Sequence, residues 1–136
     1  MKYDGPPKPP ERHRLDDERK SLTTKITIHG TEKQKLKSWE FYVTVGLYPN
    51  GMPGEIFVKV ENIGGRFGAL LDGWCVMISL GLQCGMPISV VIDKFRNWRF
   101  EPSGMTNVEG IKFAHSPFDC IVRWLEIKFI SGEKES

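Results

Sequence analysis

Between Asp72 and Asp93 the chain runs through twenty residues, GWCVMISLGLQCGMPISVVI, without a charge. A helix of that length is about long enough to cross a bilayer, so the segment must enter a membrane or be buried by the rest of the fold. Its interior argues for burial. Pro87 and the Cys84-Gly85 pair interrupt it, Gln83 lies inside it, and polar segments follow; it reads as two helices forming a buried hairpin. In the first, from Phe67 to about Gln83, Leu70, Leu71, Trp74, Met77, Ile78 and Leu82 recur at helical spacing. Ala69, Gly73, Gly81 and Gly85 form a second stripe, interrupted by Met77, where small residues let a neighbouring backbone come close. Gly85 suits a left-handed helix cap and Pro87 the first position of the next helix, PISVVIDKFRN.

The segments before these helices read as sheet. SLTTKITIHG sets Leu22, Thr24, Ile26 and Ile28 on one face, and WEFYVTVGLY does the same with Trp39, Phe41, Val43 and Val45. Asn50-Gly51 marks a hairpin turn into GEIFVKVE. After the loop EPSGMTNVEG, IKFAHS has extended character, and SPFDCIVRWLEIKF is a last helix with Ser116 as N-cap, Pro117 at N1 and Asp119 at N3. The fold class is therefore α+β: an antiparallel meander of three or more strands followed by two or three helices packed on one face. With 136 residues, 40% hydrophobic and 11% aromatic, the chain has material for one core. Residues 1–20, rich in proline and charge, read as a flexible arm, 21–130 as the domain, and 131–136 as a disordered tail.

A formal charge of +2 is too small for the footprint of a duplex DNA binder, although a local cluster still suits a small anion. Cys75, Cys84 and Cys120 are an odd number without a C-x-x-C pair, and read as reduced thiols. His13, His29 and His115 are scattered, so no metal or cofactor is expected. The opening MKYDGPPKPPERHR has no apolar core of a signal peptide, so the expectation is a cytoplasmic protein without a membrane span.

The order of DERKSLTTKITI, YVTVGLYPNGMPGEIFVKV, ALLDGWCVMISLGLQCGMPI, RFEPSGMT and HSPFDCIVRWL resembles the TSCPD domain. That domain lies near the C-terminus of vitamin B12-dependent (class II) ribonucleotide reductases and occurs also in short stand-alone proteins. The likeness covers about residues 16 to 126. The segment that names the family reads Ser116-Pro117-Phe118-Asp119 here, so the Cys-Pro between Ser and Asp is replaced, and any redox role of that cysteine is lost. The resemblance implies a fold and a link to nucleotide metabolism. It does not imply reductase activity, because the catalytic barrel, radical cysteine and cobalamin site belong to a far longer chain, and the ending ISGEKES lacks the redox cysteine pair of such enzymes.

Two arginines, a tryptophan and two phenylalanines crowd into FRNWRFEPSG. In one reading Trp98 or Phe100 stacks a base while Arg96 and Arg99 meet phosphates through paired N–H donors. In the other, Trp98 and Phe100 plug the core and Arg99 pairs with Glu101. NIGGRFG places glycines, Arg66 and Phe67 at a helix start, where a phosphate can meet free N–H groups, although a glycine pair after a strand is also common punctuation. Asn107 and Arg123 complete the candidate ligand set. His115, Ser116, Asp119 and Cys120 hint at nucleophilic catalysis, but helix capping already accounts for Ser116 and Asp119. The lysines of TEKQKLK read as a solvated loop.

The expectation is thus a non-catalytic nucleotide-binding or regulatory module that binds a nucleotide or nucleotide-derived molecule or assists a ribonucleotide reductase subunit. One alternative is a phage or prophage protein that sequesters a signalling nucleotide. The other is a self-associating interaction domain without a small ligand. A homo-oligomer is expected in either case.

Overall fold

A computed structural model describes residues 5, 8, 10–30, 38–60 and 66–130. The lysine-rich segment 31–37, most of NIGGRFG and the tail 131–136 lie outside the described residues. Three long strands, β1 (Ser21–His29), β2 (Trp39–Leu47) and β3 (Pro53–Val60), precede two helices, α1 (Arg66–Gln83) and α2 (Ile88–Phe95). Two short strands, β4 (Gly104–Thr106) and β5 (Phe113–Ala114), lead into α3 (Pro117–Phe129). The arrangement is α+β, with one antiparallel sheet in the order β3-β2-β1-β4-β5.

Alternation sets the register. Ile26 pairs with Phe41, Thr24 with Val43 and Leu22 with Val45, and β2 continues into β3 through Val43 with Val58 and Val45 with Ile56. Ile26, Ile28, Phe41, Val43, Val45, Ile56 and Val58 are buried on the core side, whereas Leu22 and Trp39 are half-buried. A slip of one residue would turn this set to solvent. Gly51 holds φ +85° at the β2–β3 turn, as Asn50-Gly51 predicts.

β4 lies where a loop was expected. Three residues are too few for a readable period, and a close approach of backbones fixes their place. Gly104 has φ +157°, and a Cβ there would stand 2.0 Å from the carbonyl oxygen of His29. Only glycine admits β4 beside β1.

The uncharged run folds differently from a simple hairpin. α1 and α2 do touch, through Trp74 and Phe95, but the main partner of α1 is β3 and that of α2 is α3. The reason lies in the polar groups of α1. Cys75 hydrogen-bonds the backbone of Val58, the Ser79 hydroxyl accepts from the Ile56 N–H (2.9 Å) and donates to its carbonyl, and the Gln83 amide donates to the Gly54 carbonyl (3.0 Å). Four residues of helix rise about 6 Å and two residues of strand about 6.6 Å, so positions 75, 79 and 83 meet 58, 56 and 54 in step. Leu71, Ile78 and Leu82 are buried below this seam. Leu70 and Met77, expected in the core, stand 73% and 68% exposed, because the polar seam turns their side of the helix outward.

Residues 11–20 are also docked, which corrects the arm as composition described it. The His13 N–H donates to the Gln83 carbonyl, and the Tyr48 hydroxyl donates to the His13 carbonyl. Arg12 Nε donates to the Gln83 side-chain oxygen (2.8 Å), and Arg19 grips both carboxylate oxygens of Glu55, Nε to Oε1 at 2.7 Å and Nη2 to Oε2 at 3.0 Å. A buried carboxylate needs such a partner, and Arg19 supplies it, which orders the segment that carries it.

Candidate functional site

At the far end of the sheet, α2, β5 and α3 converge. Arg96 caps α2 by donating its N–H to the Ile92 carbonyl. Asn97 follows with φ +67°, a left-handed conformation that asparagine tolerates better than most residues. Its N–H points at α3 and donates to Asp119 Oδ1 (2.8 Å), while the His115 N–H donates to Asp119 Oδ2 (2.9 Å). Ser116 caps α3 by accepting from the Asp119 N–H (3.0 Å), and Pro117 occupies the first turn, as the sequence predicts. Asp119 is fully buried. One carboxylate thus ties the exit of α2 and the exit of β5 to the start of α3.

Above this knot lies an open groove of about 810 Å3. Arg96, Asn97, Lys112, Phe113, His115 and Arg123 line it, with Glu126 on the α3 side. Arg123 Nη1 donates to the Phe113 carbonyl (2.7 Å) and stands 3.4 Å from Asp119 Oδ2. Arg96 Nη2 forms an ion pair with Glu126, whereas Arg96 Nε is shielded from solvent and has no acceptor among the described residues. Lys112 is exposed and makes no ion pair among the described residues. The Phe113 ring, 43% exposed, meets the His115 ring edge-on at 5.4 Å. Three cations therefore face the groove against one half-buried acid, Glu126, beside an accessible aromatic ring.

Of the residues singled out in the sequence, Arg96 and Arg123 meet in this groove. Trp98 and Phe100 instead pack around Phe118, with ring centroids 5.8 Å and 5.0 Å away, in a cluster completed by Phe95 and by Trp74 stacked on Phe118 at 4.2 Å. Trp98 keeps 47% of its surface exposed. Arg99 is exposed, and its expected pairing with Glu101 does not form. Asn107 works as a backbone staple: it accepts from the Thr27 N–H (2.7 Å) and donates to the Lys25 carbonyl (2.9 Å), extending the β1–β4 ladder past its last pair. Arg66 is exposed at the start of α1, and Phe67 meets Trp39 edge-on at 5.4 Å, so neither lines the groove. Lys112 and Phe113 lacked any sequence signal beyond the extended character of IKFAHS, and Glu126 any beyond its place in the last helix.

The nucleophile candidates are occupied otherwise. Ser116 is held as a cap, and burial pushes the Cys120 thiol up to about 12, so it stays protonated near neutrality. Cys75 is likewise pushed up to about 12 by burial. Among the described residues no cluster of three or more His, Cys, Asp or Glu gathers at metal-binding distance, and no helix is long and apolar enough to cross a membrane.

A family model described as the TSCPD domain matches residues 2–129. The vitamin B12-dependent ribonucleotide reductase of Rhodopirellula baltica is 42% identical over 127 residues, covering 93% of this chain and 11% of its own. That of Streptomyces avermitilis is 35% identical over 127 residues, 93% of this chain and 12% of its own, and that of Bradyrhizobium diazoefficiens 32% identical over 122 residues, 89% and 9%. The chain thus spans about a tenth of the length of these relatives. No solved structure matches it.

Proposed function

The chain belongs to the TSCPD domain family, and from that premise we propose that it is a non-catalytic nucleotide-recognition module of nucleotide metabolism, with the Arg96–Arg123 groove as its binding surface. The observation that supports this reading is the pairing of cations with an accessible ring. Lys112 and the guanidiniums of Arg96 and Arg123 line one groove with Phe113. Phosphate oxygens suit guanidinium and ammonium donors, and a base suits the face of an exposed aromatic ring. The groove's volume falls in the range of small-molecule sites. Glu126 gives the site a built-in competitor, since a bound phosphate takes its place on Arg96.

The test is calorimetric titration with ribonucleotides, deoxyribonucleotides and cyclic nucleotides, repeated with Lys112→Ala. Lys112 makes no ion pair among the described residues, so its loss leaves the fold intact. One nucleotide class should bind, and the variant should weaken it by about tenfold, the value of one charge-assisted hydrogen bond. If the cyclic nucleotides alone bind, the module sequesters a signalling molecule. Silence across the panel overturns the reading.

A second reading is favoured by the relatives' name: the domain recurs inside proteins called vitamin B12-dependent ribonucleotide reductases, which suits a module that assists such an enzyme in trans. Co-purification with a reductase, and a change in its turnover on adding the module, is the expected result. No effect on either rejects it.

A further inference from the structure

The outer face of α1 is bare. Ala69, Leu70, Gly73, Val76 and Met77 are all exposed, and Leu70, Val76 and Met77 stand 73%, 56% and 68% open. At about 100° per residue these five positions fall within an arc of about 120°. Their spacing is symmetric about Gly73: Ala69 and Leu70 lie four and three residues before it, Val76 and Met77 three and four after. At Gly73 a Cβ would meet nothing within 4 Å, so another helix can reach the backbone there. A surface that packs on its own copy about a two-fold axis must be self-complementary, and this stripe has that symmetry.

Charge picks out the same partner and its direction. α1 has no acidic residue in its first turn and no basic residue in its last, so its dipole is uncompensated at both ends. Arg66 opens the helix, where a cation is unfavourable, and has no ion pair among the described residues. It lies seven residues before Gly73. An antiparallel copy crossing at Gly73 sets it beside the partner's residue 80, in the negative last turns of that helix. The stripe also adjoins a groove between α1 and β3, lined by Phe57, Val58, Val76 and Leu80 together with Arg12, Glu55 and the exposed Asp72, with Phe57 56% exposed.

We propose that the protein is a two-fold homodimer through antiparallel α1 helices that cross at Gly73, with Leu70 of each copy against Val76 and Met77 of the other. The interface is separate from the Arg96–Arg123 groove and stands or falls independently of ligand binding.

Sedimentation equilibrium on the whole chain tests this. The wild type should be a dimer, and Gly73→Glu, which adds a good helix former in open space, should weaken association by more than about a hundredfold while the folded monomer keeps its helical circular-dichroism spectrum. Arg66→Ala should weaken it by roughly threefold at low salt. In a Cys84→Ser background Gly73→Cys should form a disulfide-linked dimer under mild oxidation, because on the axis the two Cα atoms lie within about 7 Å. Leu70→Cys should not link to itself. A monomer at all concentrations overturns the proposal, as does a dimer that survives Gly73→Glu or a Gly73→Cys chain that fails to cross-link.

Discussion

Both ends of the sheet use an arginine with a carboxylate, but to opposite effect. At the β3 end, Glu55 is the buried member, its side chain 8% exposed, and Arg19 reaches in to cover both of its oxygens. Together with the Cys75–Ser79–Gln83 seam, that pair closes a sheet edge that would otherwise offer unpaired backbone groups to another chain. At the β5 end the buried acid, Asp119, is occupied by the N–H groups of Asn97 and His115. Arg96 and Arg123 are left at the margin of an open groove, with partners that only partly claim them. Where the acid is buried and the arginine completes it, the pair is structural. Where backbone donors already satisfy the acid, the arginines remain available.

The largest effect should come from the Asp119 knot. Asp119→Ala leaves two part-buried N–H groups without their acceptor and Arg123 without its acid, and should lower stability by about 3 to 5 kcal/mol, measured by urea unfolding. Asp119→Asn keeps one acceptor oxygen and should recover part of that loss. Next is Arg19→Ala, which strands the Glu55 carboxylate and should reduce stability by about 2 to 3 kcal/mol; Arg19→Ala with Glu55→Gln should be milder than Arg19→Ala alone. If the two ends cost the same and neither is rescued, they do not differ as argued.

Each end also holds a buried thiol, Cys75 under α1 and Cys120 in α3, pushed by burial from 9 to about 12. A pKa raised in the folded state means stability that is full below about pH 9 and lost as pH rises toward 12, because the unfolded chain releases a proton that the native state keeps. Unfolding free energy should fall across that window by up to about 1.4 kcal/mol per pH unit for each thiol. Cys75→Ala and Cys120→Ala should each remove one such contribution in urea titrations at pH 8 to 11. An unchanged slope in either variant would mean that its thiol is wetter than its packing.

Much of this architecture is legible in the chain. Period-two alternation and Asn50-Gly51 write β1 to β3, and Ser116-Pro117 writes the start of α3. β4 and β5 are too short to have a period, and only a steric fact, the His29 carbonyl against Gly104, reveals the pairing. The orientation of α1 had a signal that apolar periodicity obscures: after Trp74, the side chains with hydrogen-bonding capacity are Cys75, Ser79 and Gln83, four residues apart on one face of the helix. The docking of residues 11–20 follows from Glu55, a carboxylate in a strand that the core encloses, but nothing local says which arginine answers it. The groove was the least legible part. Arg96 and Arg123 are 27 residues apart, and they meet because Asp119 gathers three backbone segments. Aromatic density pointed to Trp98 and Phe100, and the ring facing the groove is Phe113.

The smallest effect on stability falls at the groove itself. The Arg96–Glu126 pair lies at the surface, with side chains 37% and 33% exposed, and pairs so placed contribute about 0 to 1 kcal/mol. Glu126→Gln should therefore leave the melting temperature within a few degrees of wild type, unlike any change at Glu55 or Asp119. Its effect on binding should run the other way. Without the carboxylate, Arg96 no longer has to be released before an anion can take it, and the groove gains a unit of positive charge. Affinity for inorganic phosphate, or for whichever nucleotide the panel identifies, should rise severalfold and should fall more steeply with added salt than in the wild type. A variant that binds more weakly would mean that Glu126 positions Arg96 for the ligand rather than competing with it. The arginine at this end would then be as fully committed as Arg19 is at the other.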